Sequence, residues 1–279
     1  MNNPSSTTEY VIKPPKGLIS INLPELWRFR ELLYIFVWRD LKVRYKQTAL
    51  GIIWAIFQPL IMMIIFTLFF GVFAKIPSDG APYPIFVYSG LLLWNYFSHA
   101  LTNASESLVS NQGIIQKIYF PRLFFPLSTI ITPIIDFVFA LLVFFGLMAY
   151  YHYSPGILGI VLIPVFLIIA ILTATGLGLL TASLNVKYRD VRHILPFFIQ
   201  TLFFLTPVIY PINIIPAKYH WIIDLNPMAG TITSARNALL HTAPVNWLLL
   251  GLSFVGAFLL LLFGLYYFRK TERYFADII

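Results

Sequence analysis

The stretch GIIWAIFQPLIMMIIFTLFFGVF, residues 51–73, contains no Asp, Glu, Lys or Arg. A helix needs about 20 consecutive apolar residues to cross the hydrocarbon core of a bilayer. This stretch meets that length and predicts a membrane-spanning helix. Outward from it lie five more windows of the same character: 84–107, 123–149, 157–183, 194–211 and 247–268. Across all six windows only Glu106 and Asp136 are formally charged. The fifth window is short and holds Pro196, Pro207 and Pro211, so its limits are the least sharp.

The whole chain agrees with that reading. It is 59% hydrophobic and 11% charged, whereas a soluble domain carries about 25% charged residues. The expected fold class is an all-α polytopic membrane protein. It has six transmembrane helices, an N-terminal interfacial amphipathic helix and an external re-entrant segment. There are no cysteines, which excludes disulfides, thiolate metal sites and a cysteine nucleophile. The first long apolar run follows a polar stretch, so no leader peptide is expected.

Six crossings put both termini on one side. With that side cytoplasmic, 16 basic residues face it, and Lys75, Lys218 and Arg236 face outward. Basic residues collect in cytoplasmic loops, so both termini are expected there. The domain plan is a tail over 1–23, the interfacial helix over 24–50, the membrane domain over 51–268 and a tail over 269–279. Residues 212–246 are broken by Pro216, Pro227, Gly230 and Pro244 yet keep apolar stretches. Two readings stand: a re-entrant helical pair covered by protein, or an ordinary external loop.

Residues 24–46, PELWRFRELLYIFVWRDLKVRYK, read as a helix in the headgroup plane. At 100° per residue, Arg28, Glu31, Arg39, Lys42 and Lys46 gather on one side, while Arg44 falls outside the stripe. Trp27, Phe29, Leu32, Leu33, Phe36 and Trp38 cover much of the rest. The helix is either a topology anchor or a cationic surface for an anionic head group such as a lipid pyrophosphate. Residues 111–122, NQGIIQKIYFPR, form a short cytoplasmic link, and their apolar residues suit a handle gripped by a soluble partner.

Inside the membrane, Ala170, Ala174, Gly178 and Ala182 recur every four residues and make a flat packing stripe. Asp136 lies in the third window. It is a functional candidate by default, or else a protonated or hydrogen-bonded structural acid with Thr132 as its neighbour. The structural reading is favoured. Trp54, Phe57 and Gln58 in the first window, with Phe197, Gln200, Phe203, Phe204 and Tyr210 in the fifth, mix rings with uncharged polar groups. Such a lining suits sugars, whose C–H faces stack on rings while their hydroxyls bond to amides. The alternative is that these rings face lipid or neighbouring helices.

Several chemistries lack their residues. There is no GxxxxGK[ST] loop, no HExxH motif and no Gx-Ser-x-Gly elbow. The five histidines show no metal-ligand spacing, so no metal site is expected. The chain is expected to be a transport subunit and not an enzyme.

Three stretches then carry a resemblance: RDLKVRYKQTALGIIWAIFQPL at 39–60, KIYFPRLFFP at 117–126, and NVKYRDV from Asn185 with TPVIYP at 206–211, followed by Asn226, Pro227 and Arg236. Together they resemble the ABC-2-type permeases of polysaccharide exporters, close to O-antigen, teichoic acid and capsule permeases. The resemblance implies a homodimer in the bacterial inner membrane with two nucleotide-binding ATPase subunits below it. Those partners bind ATP and Mg; this chain holds no cofactor. The cargo is a lipid-linked glycan, and no nucleic acid is involved.

The resemblance also implies roles. Residues 111–122 become the coupling helix, with Gln112, Lys117, Tyr119, Phe120, Pro121 and Arg122 meeting the ATPase. Residues 26–46 become a gate helix whose Arg28, Arg39, Lys42, Arg44 and Lys46 bind the head group. The first and fifth spans of both copies line the conduit, and 212–240 form re-entrant helices at its outer mouth. The alternatives are an exporter of another cargo on the same fold, such as a drug, lipid or ion, or a membrane glycosyl- or acyltransferase.

Overall fold

A computed structural model describes residues 23–46, 51–117, 120–272 and 275. The expected N-terminal tail through residue 22, residues 47–50, Ile118, Tyr119 and most of the C-terminal tail lie outside the described residues. Among the described residues the structure is helical, with no strand.

Two helices lead in: α1 (Leu23–Arg28) and α2 (Arg30–Lys46). The first span is α3 (Gly51–Phe66), continued by a π-helical turn over Thr67–Phe73. Next come α4 (Tyr83–Ser110) and the single turn α5 (Gln112–Ile115). The next span is broken in two, α6 (Phe124–Ile131) and α7 (Ile134–Tyr150). The break falls at Pro133, which has no N–H to continue the ladder. Then follow α8 (Ile157–Lys187) and α9 (Val191–Leu205). Two 3-10 turns at Ile212–Ile214 and Ala217–Tyr219 lead to α10 (His220–Asp224), α11 (Pro227–Leu240) and α12 (Trp247–Glu272).

Four helical stretches are long and apolar enough to cross a membrane: Ile53–Phe73, Phe124–Tyr150, Ile157–Lys187 and Trp247–Glu272. The other two expected spans differ from these in kind. Helix α4 has the length but carries Asn95, His99, Asn103 and Glu106. It can be more polar because it is central, with Tyr88, Phe97 and Leu101 almost wholly enclosed by protein. Helix α9 has 15 residues and ends at Thr206, whose backbone is extended.

Helix α8 is the hub, packed against α4, α11 and α12. Its stripe of Ala170, Ala174, Gly178 and Ala182 is buried. A Cβ on Gly178 would stand 2.8 Å from Ala104 of α4. On another face, a Cβ on Gly176 would stand 2.5 Å from the Leu260 carbonyl carbon of α12, and one on Gly264 would strike the Gly176 carbonyl. Backbones that approach this closely leave room only for glycine.

The buried side chains form two clusters. The larger fills the bundle interior around Phe86, Tyr88, Phe97, Phe144 and Phe166. The smaller sits at one end, around Phe36, Leu108, Phe120, Phe125, Phe268 and Phe275. At the opposite end, Gly156 N–H donates to the Leu239 carbonyl at 2.9 Å, and Tyr153 donates to Leu240. That joins the α7–α8 turn to the end of α11. Almost every residue of α11 is buried. Its N-terminus is capped by Asn226, whose side chain accepts from Met228 N–H at 3.1 Å.

Candidate functional site

A cavity of about 470 Å³ opens between α2, α3, α4 and α7. Small-molecule sites occupy roughly 300–1,000 Å³. Each helix contributes by its own periodicity. Leu92, Asn95, Tyr96 and His99 fall on one face of α4, at spacings of three and four. Trp54 and Gln58 do the same on α3. The end of α2 brings Arg44. The start of α7 brings Asp136 and Phe137. The break at Pro133 places Asp136 in the first turn of α7, where unpaired backbone N–H groups favour a carboxylate.

Asp136 is ion-paired. Arg44 Nη2 lies 2.6 Å from its Oδ2, and the Tyr45 hydroxyl donates to its Oδ1. Oδ2 has no aligned hydrogen bond, so the guanidinium holds it by charge. The acid is hydrogen-bonded to a neighbour, as the structural reading expected, but the neighbour is Tyr45: Thr132 donates to the Ser128 carbonyl at 2.8 Å instead. Burial, reinforced by the neighbouring Asp136, raises the Tyr45 phenol above its usual range and keeps it a proton donor. No spacing rule could reveal this pairing, because the partners sit on helices far apart in sequence.

The five candidate head-group cations therefore divide. Arg44 is engaged with Asp136. Arg39 pairs with Asp40 at 2.8 Å, donates to Asn111 Oδ1 at 3.1 Å and lies over the Phe36 ring. Arg28, Lys42 and Lys46 are exposed, with Lys42 over Trp38. On the same helix, Phe36 is buried and Phe29, Leu32 and Leu33 pack on the end cluster, whereas Trp27, Tyr34 and Trp38 are exposed.

The candidate coupling residues divide too. Gln112 and Lys117 are exposed on and beside α5. Phe120 and Pro121 are buried. Phe120 stands 5.6 Å from the Phe36 ring and 5.2 Å from Phe125, and Arg122 donates to the Glu272 carbonyl. The apolar residues of 111–122 were expected to be presented to a partner. Ile115 and Phe120 instead serve the end cluster, because a short link beside a helix end buries its rings locally first. Tyr119 lies outside the described residues.

Of the candidate conduit residues, Trp54, Phe57, Gln58, Phe197, Gln200 and Phe204 are exposed on a single copy, Phe197 at 72%. Phe203 is not on that face. It stacks on Phe66 at 5.6 Å and meets Trp94 edge-on at 5.4 Å, joining α9 to α3 and α4. Tyr210 is half-buried and donates to the Phe204 carbonyl at 2.7 Å.

Arg236, counted among external charges in the sequence, is buried. It donates to the Pro207 carbonyl at 2.9 Å and the Val208 carbonyl at 2.6 Å, and lies 3.8 Å from the Phe86 ring centroid. Asn226 Nδ2 adds a bond to Thr206 Oγ1 at 2.8 Å. Together they fasten the turn after α9 to α11 and α4. The sequence signal was TPVIYP followed by Asn226 and Arg236, without the contact that joins them.

A helical bundle with four stretches long and apolar enough to cross a bilayer defines a membrane protein. The chain belongs to the ABC-2 type transporter family, whose model matches residues 31–240. It is 30% identical over 249 residues to an O-antigen export system permease protein RfbA of Klebsiella pneumoniae, covering 89% of this chain and 95% of the relative. It is 32% identical over 215 residues to the protein of the same description from Myxococcus xanthus, covering 75% and 80%. It is 25% identical over 209 residues to the polysialic acid transport protein KpsM of Escherichia coli, covering 72% and 78%. The family sets the chain in a membrane, within an ATP-binding-cassette system, as a transport component and not an enzyme.

Proposed function

We propose that this chain is the permease subunit of an exporter that moves lipid-linked polysaccharide, of O-antigen type, outward across the bacterial inner membrane. The observation that carries the reading is the likeness, over 89% of the chain, to a protein described as an O-antigen export permease. Six crossings complete the bundle. Helix α4 is the second and α9, extended by the turn to Pro211, the fifth. Both termini are cytoplasmic, and 212–240 form a re-entrant pair at the outer mouth. The burial of α11 supports that last point, since its backbone is shielded from lipid by protein.

The working unit is a homodimer. Only 11% of the Ile53–Phe73 window is buried in one copy, against 33% for Phe124–Tyr150. A second copy covers that face, and the conduit lies between the copies. Trp54, Phe57 and Gln58 of α3 line it with Phe197, Gln200 and Phe204 of α9. Neutral rings and amides let a sugar chain slide without a deep trap.

Two ATPase subunits bind ATP and Mg and press on Gln112 and Lys117. That push reaches α2 through the Phe36–Phe120–Phe125 rings, so α2 acts as the gate helix. Exposed Arg28 at the end of α1, with Lys42 and Lys46 of α2, attracts the pyrophosphate of the lipid carrier. Nucleotide shifts the conduit toward its open state only by binding that state more tightly. The test is reconstitution with the cognate ATPase in proteoliposomes. Lipid-linked glycan should raise ATP turnover and accumulate on the far side. Turnover indifferent to every lipid-linked glycan would overturn the reading.

A further inference from the structure

The cavity between α2, α3, α4 and α7 lies within one subunit and opens on the conduit face through Trp54 and Gln58. Among the described residues the side chains of Gln58, Asn95 and His99 make no hydrogen bond. Asp136 lines the same space but is already engaged, its Oδ2 by Arg44 and its Oδ1 by Tyr45. Three polar side chains with unused bonding capacity thus converge on one space, with Trp54 and Tyr96 as its ring walls.

We infer that this cavity binds a single neutral sugar unit; the assignment rests on the reading of the chain as a glycan permease. The lining excludes the other occupants in turn. A lipid tail would match the apolar walls but leave the Gln58, Asn95 and His99 side chains unpaired, at about 1–3 kcal/mol for each group. An anion would meet the Asp136 carboxylate, which already holds the Arg44 guanidinium at 2.6 Å. A metal ion would need at least three acidic or imidazole ligands, and no such group occurs among the described residues.

A pyranose matches what remains. Its hydroxyls exchange bonds with the Gln58 and Asn95 amides and the His99 ring. Its C–H face lies on Trp54 or Tyr96. Trp54 and Gln58 are exposed and form the mouth. The Arg44–Asp136 pair that ties α2 to α7 lines the same cavity, so occupancy is felt by the entry helix.

The experiment uses the full chain assembled with its ATPase in nanodiscs, probed by saturation-transfer NMR. The probes are methyl glycosides of neutral hexoses, with a methyl glucuronoside as the charged comparison. Neutral glycosides should bind and the glucuronoside should not. Ala55→Trp, which fills the cavity, should weaken binding about tenfold, as should Asn95→Leu, the equivalent of about 1.4 kcal/mol. Leu142→Ala, on the exposed side of α7, should leave the signal unchanged. If Ala55→Trp fails to assemble, Gln58→Leu at the exposed mouth serves instead. Absence of any neutral-glycoside signal, or a signal indifferent to the cavity variants, overturns the assignment while leaving the export reading intact. Cells lacking the chain that still display their surface glycans overturn the export reading itself, and the assignment falls with it.

Discussion

Arg44 at the end of α2 and Asp136 in the first turn of α7 meet at 2.6 Å and tie the entry helix to the bundle. The pair is only partly enclosed, with side chains 31% and 14% exposed. Breaking it should therefore cost less than the 3–5 kcal/mol of a fully buried pair, about 2 kcal/mol. Asp136→Asn should lower thermal stability by that amount. The double variant with Arg44→Gln should lose less than the sum of the two singles. Strict additivity in a thermal double-mutant cycle would show that the two residues do not act together.

Arg236 serves three carbonyls, the Ser89 hydroxyl and one ring from a buried position. A lysine there offers a point charge and no planar fork. Arg236→Lys should cost about 2 kcal/mol and open the segment after α9. Limited proteolysis checks this, with new cleavage expected between residues 206 and 226. An unchanged digestion pattern counts against the role given to Arg236.

Glycine at the α8–α12 crossing is a matter of space. Gly264→Ala drives a methyl group into the Gly176 carbonyl and should destabilise by about 1–3 kcal/mol. Gly146→Ala and Gly251→Ala place theirs where nothing lies within 4 Å. Those two should be neutral, or stabilising by up to about 1 kcal/mol through helix propensity. Melting of the purified protein distinguishes the two groups.

In the link over residues 111–122, exposure decides what a substitution reports. Phe120→Ala should cost about 3–5 kcal/mol by emptying a buried ring site, so any loss of transport in that variant mixes unfolding with uncoupling. Lys117→Glu changes an exposed residue. It should weaken ATPase association and transport while the stability stays within about 0.5 kcal/mol of the parent. Co-purification of the ATPase, alongside a melt, checks both halves.

The class of this protein was legible because lipid-facing helices have no polar residues to disguise them. Residues 51–73 and the small-residue stripe of α8 needed no partner to be read. Helix α4 was harder in kind: enclosed by protein, it holds Asn95 and His99, and its hydropathy understates its depth. The site residues were legible as types and not as arrangements. Arg44 stood out as a cation, but only the fold brings it to Asp136. Phe120 looked like an exposed ring because nothing in 111–122 reveals that Phe36 folds over it. Phe203 and Phe204 are adjacent in sequence, yet one is a packing residue and the other is exposed.

The separation of the two buried clusters bears on building hybrids between relatives. Rings from α2, from the 120–125 segment and from the chain end interlock in the smaller one. A graft that exchanged the link alone would leave foreign aromatics facing native sockets. Swapping all three pieces as one cassette preserves the fit, and it marks out the smallest unit through which such a permease could change the engine it answers to.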